Sequence, residues 1–249
     1  IGQYAFAACP ALTSITIPTG VTKIGNYAFQ NMTIESITIP ASVSNLGTQL
    51  FYGCKKLKTV QCELDENGKS PITVIPKQAF YLCESLESIN LHELELKKID
   101  QNAFNGCKKL GDAAIDFTKL TTLTDIEAQA FTKTGLENVD LSKTGVTKIT
   151  TAFSNIPTLK SFAFPQVVVS VGATAFNNLP ALEKIILSVN SNGSLLATGF
   201  PTSVELIIPE DNPYLVKDKF GVVYDPGFQI VYYAGAGRND LSGYTIPDT

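Results

Sequence analysis

Apolar and polar positions along this chain alternate in short bursts that return at a nearly constant interval. One burst is Leu-x-x-Ile-x-Ile-Pro, first met at Leu12–Pro18. It recurs at Ile34–Pro40, Leu57–Cys62, Leu86–Leu91, Leu136–Leu141, Leu159–Pro165, Leu182–Leu187, Ser203–Pro209 and Leu241–Pro247, and a copy at Leu110–Phe117 carries two extra residues. Between the bursts stands an Ala-Phe pair, with the phenylalanines at 6, 29, 51, 80, 104, 131, 153, 176 and 200 (Leu-Phe at 51, Gly-Phe at 200). Their spacings are 23, 22, 29, 24, 27, 22, 23 and 24 residues. A fixed period of this length is the signature of a repeat architecture.

Each part of the unit has a physical reading. Ile-x-Ile alternation predicts a short strand with one buried face. Proline after it cannot donate to a ladder and ends the strand. The Ile-Gly-x-x-Ala-Phe stretch is too short for a full helix and predicts a turn plus one helical or 3₁₀ turn, with Ala allowing close approach and Phe filling the middle of the coil. One unit cannot bury its own apolar face, whereas stacked units bury a continuous core. Ten strands at about 4.8 Å spacing would form a parallel sheet roughly 45–50 Å long.

The stretch from Ile1 to Lys23 resembles one unit of the BspA-like leucine-rich repeat family, and Ile24–Asn45 resembles the next. The resemblance covers residues 1–209 and resumes at 241–249. It implies a leucine-rich repeat solenoid with a parallel β-sheet on the concave face and short helical or 3₁₀ turns on the other side. It further implies a bacterial surface or secreted protein, several relatives of that kind being adhesins.

The pattern is broken in two places. Inserts at Glu63–Ser70, His92–Leu96 and Gly111–Ala114 are expected to bulge without interrupting the ladder. Pro209 and Pro247 then lie 38 residues apart. The extra segment runs Phe220–Tyr224, Asp225-Pro226-Gly227, Phe228–Tyr233, two β-rich runs around a turn sequence. Family units with Asn-Pro, Gly-Val-Val-Tyr and Tyr-Tyr resemble it. The expected organisation is repeats over 1–209, a β-hairpin insertion or cap over 210–240, and a further repeat beginning at 241–249. Because the chain begins and ends within repeats, it is expected to be part of a longer array.

Composition narrows the function. The chain has 249 residues, 44% hydrophobic and 17% charged, with net charge −4. Its longest apolar runs are far too short to span a bilayer as a helix. The 19 basic residues are scattered, which argues against nucleic acid. One histidine, His92, removes most histidine-based metal and catalytic sites; it sits near Glu93 and Glu95 and is expected to be a solvated loop residue. Cys9, Cys54, Cys83 and Cys107 share a slot that other copies fill with Met32 and Leu179, so they are expected to be buried thiols, as is Cys62. A disulfide within Cys54, Cys83 and Cys107 remains an alternative. Tyr4 with Tyr27, and Tyr52 with Tyr81, fall in adjacent repeats, where they either pack or anchor a ligand. No cofactor or metal is expected, and Ala234-Gly235-Ala236-Gly237 lacks the lysine of a phosphate loop.

The outward positions of the strand motif form the candidate binding face: Thr13, Thr16, Glu35, Thr38, Lys58, Gln61, Glu87, Asn90, Glu137, Asp140, Lys160, Glu183 and Lys184. Small, polar and mixed in charge, they suit a broad contact with a host or microbial surface protein or glycan by a monomeric, extracellular or cell-surface, non-enzymatic module. The alternative is a structural spacer presenting another domain. An enzyme is disfavoured, since no nucleophile–base pair or ligand cluster is visible.

Overall fold

The computed structural model describes residues 1–192, 200, 201, 203–218 and 222–226, together with the backbone of the strand Val231–Ala234. The chain winds as a parallel β-solenoid. The main sheet comes from the strand motif: Ser36–Ile39, Thr59–Cys62 and Ser88–Ile89 form one three-stranded piece, and Asn138–Asp140, Ser161–Ala163, Lys184–Ile186 and Glu205–Ile207 form a four-stranded piece. Register is one residue to one residue, Ile37 beside Val60 beside Ile89, so the inward row stays inward from coil to coil. The first copy of the motif, Leu12–Pro18, is not a strand, and the copy with two extra residues is a turn followed by the 3₁₀ segment Phe117–Lys119. That copy splits the sheet, contrary to the expectation of an unbroken ladder.

A second parallel ladder, not anticipated from the sequence, lies on another side of each coil. Two-residue strands pair as Lys23–Ile24 with Asn45–Leu46, Val74–Ile75 with Lys98–Ile99 and Asp125–Ile126, and Lys148–Ile149 with Ser170–Val171. Each contributes one outward and one inward side chain. Where glycine follows, as at Gly25 and Gly47, it permits close stacking: a Cβ on Gly47 would sit 2.3 Å from the carbonyl carbon of Gly25.

The Ala-Phe stretch is a chain of tight turns rather than a helix. Short 3₁₀ segments occur only at Leu91–Glu93, Phe117–Lys119 and Thr151–Phe153 among the described residues. Around Phe29 the amides alternate. Those of Tyr27, Phe29 and Asn31 donate to Thr48, Leu50 and Tyr52 of the next coil at 3.0, 3.0 and 2.8 Å. Those of Ala28, Gln30 and Met32 close turns on residues three back. Tyr27 and Asn31 have φ of 58° and 55°, the left-handed geometry that a type II turn requires at its third position. Phe51, Phe80, Phe104 and Phe131 repeat the cross-coil bond at 2.7–2.9 Å.

Inside these turns the rings of Phe6, Phe29, Phe51, Phe80, Phe104, Phe131 and Phe153 stack in one column, with centroids 5.2–5.7 Å apart and interplanar angles of 3–14°. Beyond it Phe162 meets Phe153 and Phe176 edge-on. Cys54, Cys83 and Cys107 lie beside the column as free, buried thiols; their Sγ donate to the carbonyls of Phe29, Phe51 and Phe80 at 3.0–3.1 Å. Cys62 is also buried and free, and Cys9 is half-buried.

At the far end a separate three-stranded sheet is antiparallel: Val222–Tyr224 pairs with Val216–Lys217 on one side and Val231–Ala234 on the other. Leu215 and Val223 join the solenoid's apolar core. Asn212 donates to the carbonyls of Ser188 and Ser191, tying this sheet to the coil beneath. The expected turn at Gly227 and the expected further repeat at 241–249 lie outside the described residues.

Phe104→Ala should cost about 3–5 kcal/mol by chemical denaturation, as buried phenylalanine truncations do; a loss below about 1 kcal/mol would remove the ring from the core. Burial pushes the Cys54 and Cys62 thiols up to about 12, from 9.0. An unfolded thiol ionises near its ordinary value while the folded one keeps its proton, so this part of stability is whole below pH 9 and is lost between about pH 9 and 12. Stability should therefore fall across that window, and fall less steeply in a Cys54→Ala, Cys62→Ala variant; an equal slope would contradict the burial.

Candidate functional site

The strand entries share one backbone device. The carbonyl of Glu35 accepts from the amides of both Lys58 and Thr59, at 2.7 and 3.2 Å. Lys58 does the same for Glu87 and Ser88, Glu137 for Lys160 and Ser161, and Lys160 for Glu183 and Lys184. The side chains at these entries consequently rise from the face in register, and neighbours can meet across coils.

They meet in ion pairs: Glu35 with Lys58 at 2.9 Å, Glu87 with Lys109 at 2.6 Å and Glu137 with Lys160 at 2.6 Å. All three pairs are solvent-exposed, where such contacts contribute little to stability. Their chemical effect is clear in direction. The hydrogen bond and charge of Lys58 lower the Glu35 carboxyl below its ordinary value, and Lys109 does the same to Glu87. The glutamates raise Lys58 and Lys160 in return. Carboxylates held ionised are poorly suited to donate a proton as a general acid.

The expected face residues do not form one continuous strip. Glu35, Thr38, Lys58, Gln61 and Glu87 belong to one patch. Glu137, Asp140, Lys160, Glu183 and Lys184 belong to a second, on the other side of the Leu110–Phe117 copy. Thr13 and Thr16 are exposed but sit on the first copy, whose backbone is not paired to Ser36–Ile39; an open groove of about 410 Å³ runs between the two. Asn90 departs from its expected role. It is buried, its Oδ1 accepts from the Cys62 amide at 2.8 Å, and its Nδ2 donates to the Cys62 carbonyl at 2.9 Å. Its side chain thus stands in for a strand where Ser88–Ile89 has already ended, and is not available to a ligand.

Asp112 plays the matching role on the other edge. Its Oδ1 accepts from the amides of Glu137 and Asn138 at 2.9 and 3.1 Å, and its Oδ2 accepts from Asn138 Nδ2 at 2.8 Å. In the coils where strand entries pair, that double acceptor is a main-chain carbonyl; here a carboxylate replaces it. The sequence marks Asp112 only as part of the Gly111–Ala114 insert, and the two extra residues in its copy are the signal that its role differs. Beside it Asp116, Asn138 and Asp140 border a shallow hollow of about 240 Å³.

His92 is exposed, 3.9 Å from Glu93, and Glu95 lies instead near Lys69 at 3.6 Å. Among the described residues no three of His, Cys, Asp and Glu converge on a metal position. No helix there is long and apolar enough to cross a membrane.

The family model for the BspA type leucine rich repeat region matches in 6 copies, over residues 1–111 and 73–195. A leucine-rich repeat protein of Bacteroides ovatus superposes with a TM-score of 0.65 at 24% identity; the match covers 87% of this chain and 59% of that one, so the chain spans well under two thirds of its length. A leucine rich cell surface protein of Faecalibacterium prausnitzii matches at 23% identity with a TM-score of 0.38, covering 82% of this chain and 77% of that one. The pneumococcal vaccine antigen PcpA matches at 20% and 0.36, covering 85% and 60%. No curated protein matches the chain.

Asp112→Ala should lower stability by about 0.5–1.5 kcal/mol through two lost hydrogen bonds to exposed amides that water can still reach, whereas Asp112→Asn, which keeps the acceptor oxygen, should stay close to the parent. Chemical denaturation of the two variants checks this; equal losses would show that the charge, not the acceptor, matters.

Proposed function

Because this chain belongs to the BspA-type leucine-rich repeat family, we propose that it is a non-enzymatic binding module of the cell surface or extracellular space, with the main-sheet face as its contact surface. Leucine-rich repeats are in general protein-interaction modules. The finer reading assigned to this chain is adhesion to a surface protein of a host or of another microbe. The observation that carries it is the geometry of the face: polar and charged side chains project in register from a hydrogen-bonded parallel ladder, as two patches of mixed charge. Such a surface suits a wide contact of moderate strength rather than capture of a small molecule in a deep pocket. The carboxylates, held ionised by lysines, support binding over catalysis.

We take residues 1–209 as the repeat array and 210–240 as its cap, a reading supported by Leu215 and Val223 in the core and by the Asn212 hydrogen bonds. The pairing of acids and lysines within the face favours one rival, a spacer whose surface satisfies itself and holds another domain outward.

A biolayer screen of the purified chain against extracellular-matrix and bacterial surface proteins separates the two. The binding reading expects at least one saturable partner. Its affinity should fall in a Lys58→Glu, Lys160→Glu variant with an unchanged thermal midpoint, and fall with added salt, since exposed charges are screened. Binding that survives both changes, or no binding at all, would return the face to a spacer.

A further inference from the structure

The turn side of the coils differs in chemistry from the strand side. In the seven coils from Phe6 to Phe153, the positions two before, one after and two after the motif phenylalanine carry a single charged side chain, Lys133. Most of the others are amides, hydroxyls and tyrosines, the rest being Ala7, Ala8, Gly53, Leu82 and Gly106. Across four successive coils these positions border a groove of about 420 Å³: Gln78, Asn102 and Gln129 come from the row two before the phenylalanine, Tyr81, Asn105 and Thr132 from the row one after it, and Lys133 and Asn155 from the row two after it. The groove is therefore built coil by coil along the solenoid axis, with a step close to the 5.2–5.4 Å between the phenylalanine rings behind it.

Part of the groove's hydrogen-bonding capacity is already engaged, since the Thr132 hydroxyl donates to the Ser154 carbonyl and Asn155 pairs with Ser154 and Asn178, but the glutamines are not. Gln78, Asn102 and Gln129 have φ of 54–60°, and each backbone amide is tied to the next coil. Among residues other than glycine, Asn tolerates this left-handed geometry best; Gln has no such local preference and brings instead a longer amide to the groove. The side-chain amides of Gln78 and Gln129 make no hydrogen bond within the described chain. Asn105 Nδ2 donates to Asn102 Oδ1 at 2.8 Å, which leaves Asn102 with a free donor and Asn105 with a free acceptor. Asn105 and Thr132 are buried in the floor. Tyr81 is held against Tyr52, with ring centroids 5.0 Å apart and planes 18° from parallel.

We propose that this groove binds a neutral polysaccharide lying along the solenoid axis. Side-chain amides donate and accept at once, which matches neighbouring sugar hydroxyls. The face of the Tyr81 ring that Tyr52 does not cover can stack on the apolar C–H face of a pyranose. The coil spacing is close to the length of one sugar unit, so successive coils can address successive sugars. The near absence of charge disfavours phosphorylated, sulfated or uronic-acid ligands, and the polar floor disfavours an apolar peptide. Preformed backbone and a fixed ring reduce the ordering that binding must impose. This site is separate from the main-sheet face and does not depend on a protein partner there.

Affinity gel electrophoresis with neutral polysaccharides (a glucan, a mannan, a xylan and a galactan) and with an anionic one, polygalacturonate, tests the proposal. At least one neutral polymer should retard the chain, and raised NaCl should leave that retardation unchanged. A Gln78→Ala, Gln129→Ala variant should bind about tenfold more weakly, because two amide contacts are lost. Alanine retains a Cβ in the left-handed geometry, so the fold should hold, and circular dichroism confirms it. Lys58→Glu, Lys160→Glu on the strand face should bind the polymer like the parent, which separates this site from the protein-binding reading. No retardation by any neutral polymer, retardation by polygalacturonate alone, or full binding by the folded groove variant would overturn the proposal.

Discussion

The structure depends on the alternation of main-chain amides at the Ala-Phe turns. Every second amide closes a tight turn in its own coil, and those between reach the next coil. The cross-coil set cannot be satisfied without a neighbour in register, so no coil is complete alone. The phenylalanine sits at the centre of this arrangement. Its amide makes the middle cross-coil bond, its ring joins the column, and its carbonyl accepts the thiol of the following coil at Cys54, Cys83 and Cys107. Removing a buried amide's partner costs more than the bond contributes net, which makes register nearly obligatory along this side.

The strand side is more permissive because side chains can replace the backbone there. Asn90 pairs with Cys62 as a strand would, and Asp112 accepts the amides that a carbonyl would otherwise take. Between them the main sheet is interrupted while the phenylalanine column runs straight through from Phe80 to Phe131. Insertions are tolerated on this face because the turn side holds the coils together. The same arrangement divides the prospective contact surface into two patches and leaves the turn groove continuous beneath the break.

Much of the fold was legible in the sequence because its repeat places identical chemistry at identical depth. Phe29 and Phe104 are buried for one reason, and the slot shared by Cys54, Met32 and Leu179 is apolar for another that the alternatives themselves reveal. The second ladder escaped notice because two residues such as Lys23–Ile24 carry no alternation to detect. The Ala-Phe turns were open to a helical reading, since left-handed positions are filled by Tyr27, Gln49 and Gln78 rather than by glycine. On the face, Asn90 fell at an outward position of the pattern, yet its strand ends one residue earlier, so its side chain turns to the backbone. Sequence periodicity assigns a face; it does not reveal which polar side chains are already occupied by main-chain partners.

The dependence of each coil on its neighbour is tested most directly by native-state hydrogen exchange of the phenylalanine amides. Those of Phe29, Phe51, Phe80, Phe104 and Phe131 donate across coils behind a buried ring, and the account predicts that they exchange slowest in the chain, opening together near the global unfolding free energy. Exchange of these amides one coil at a time, at free energies well below that of global unfolding, would contradict it.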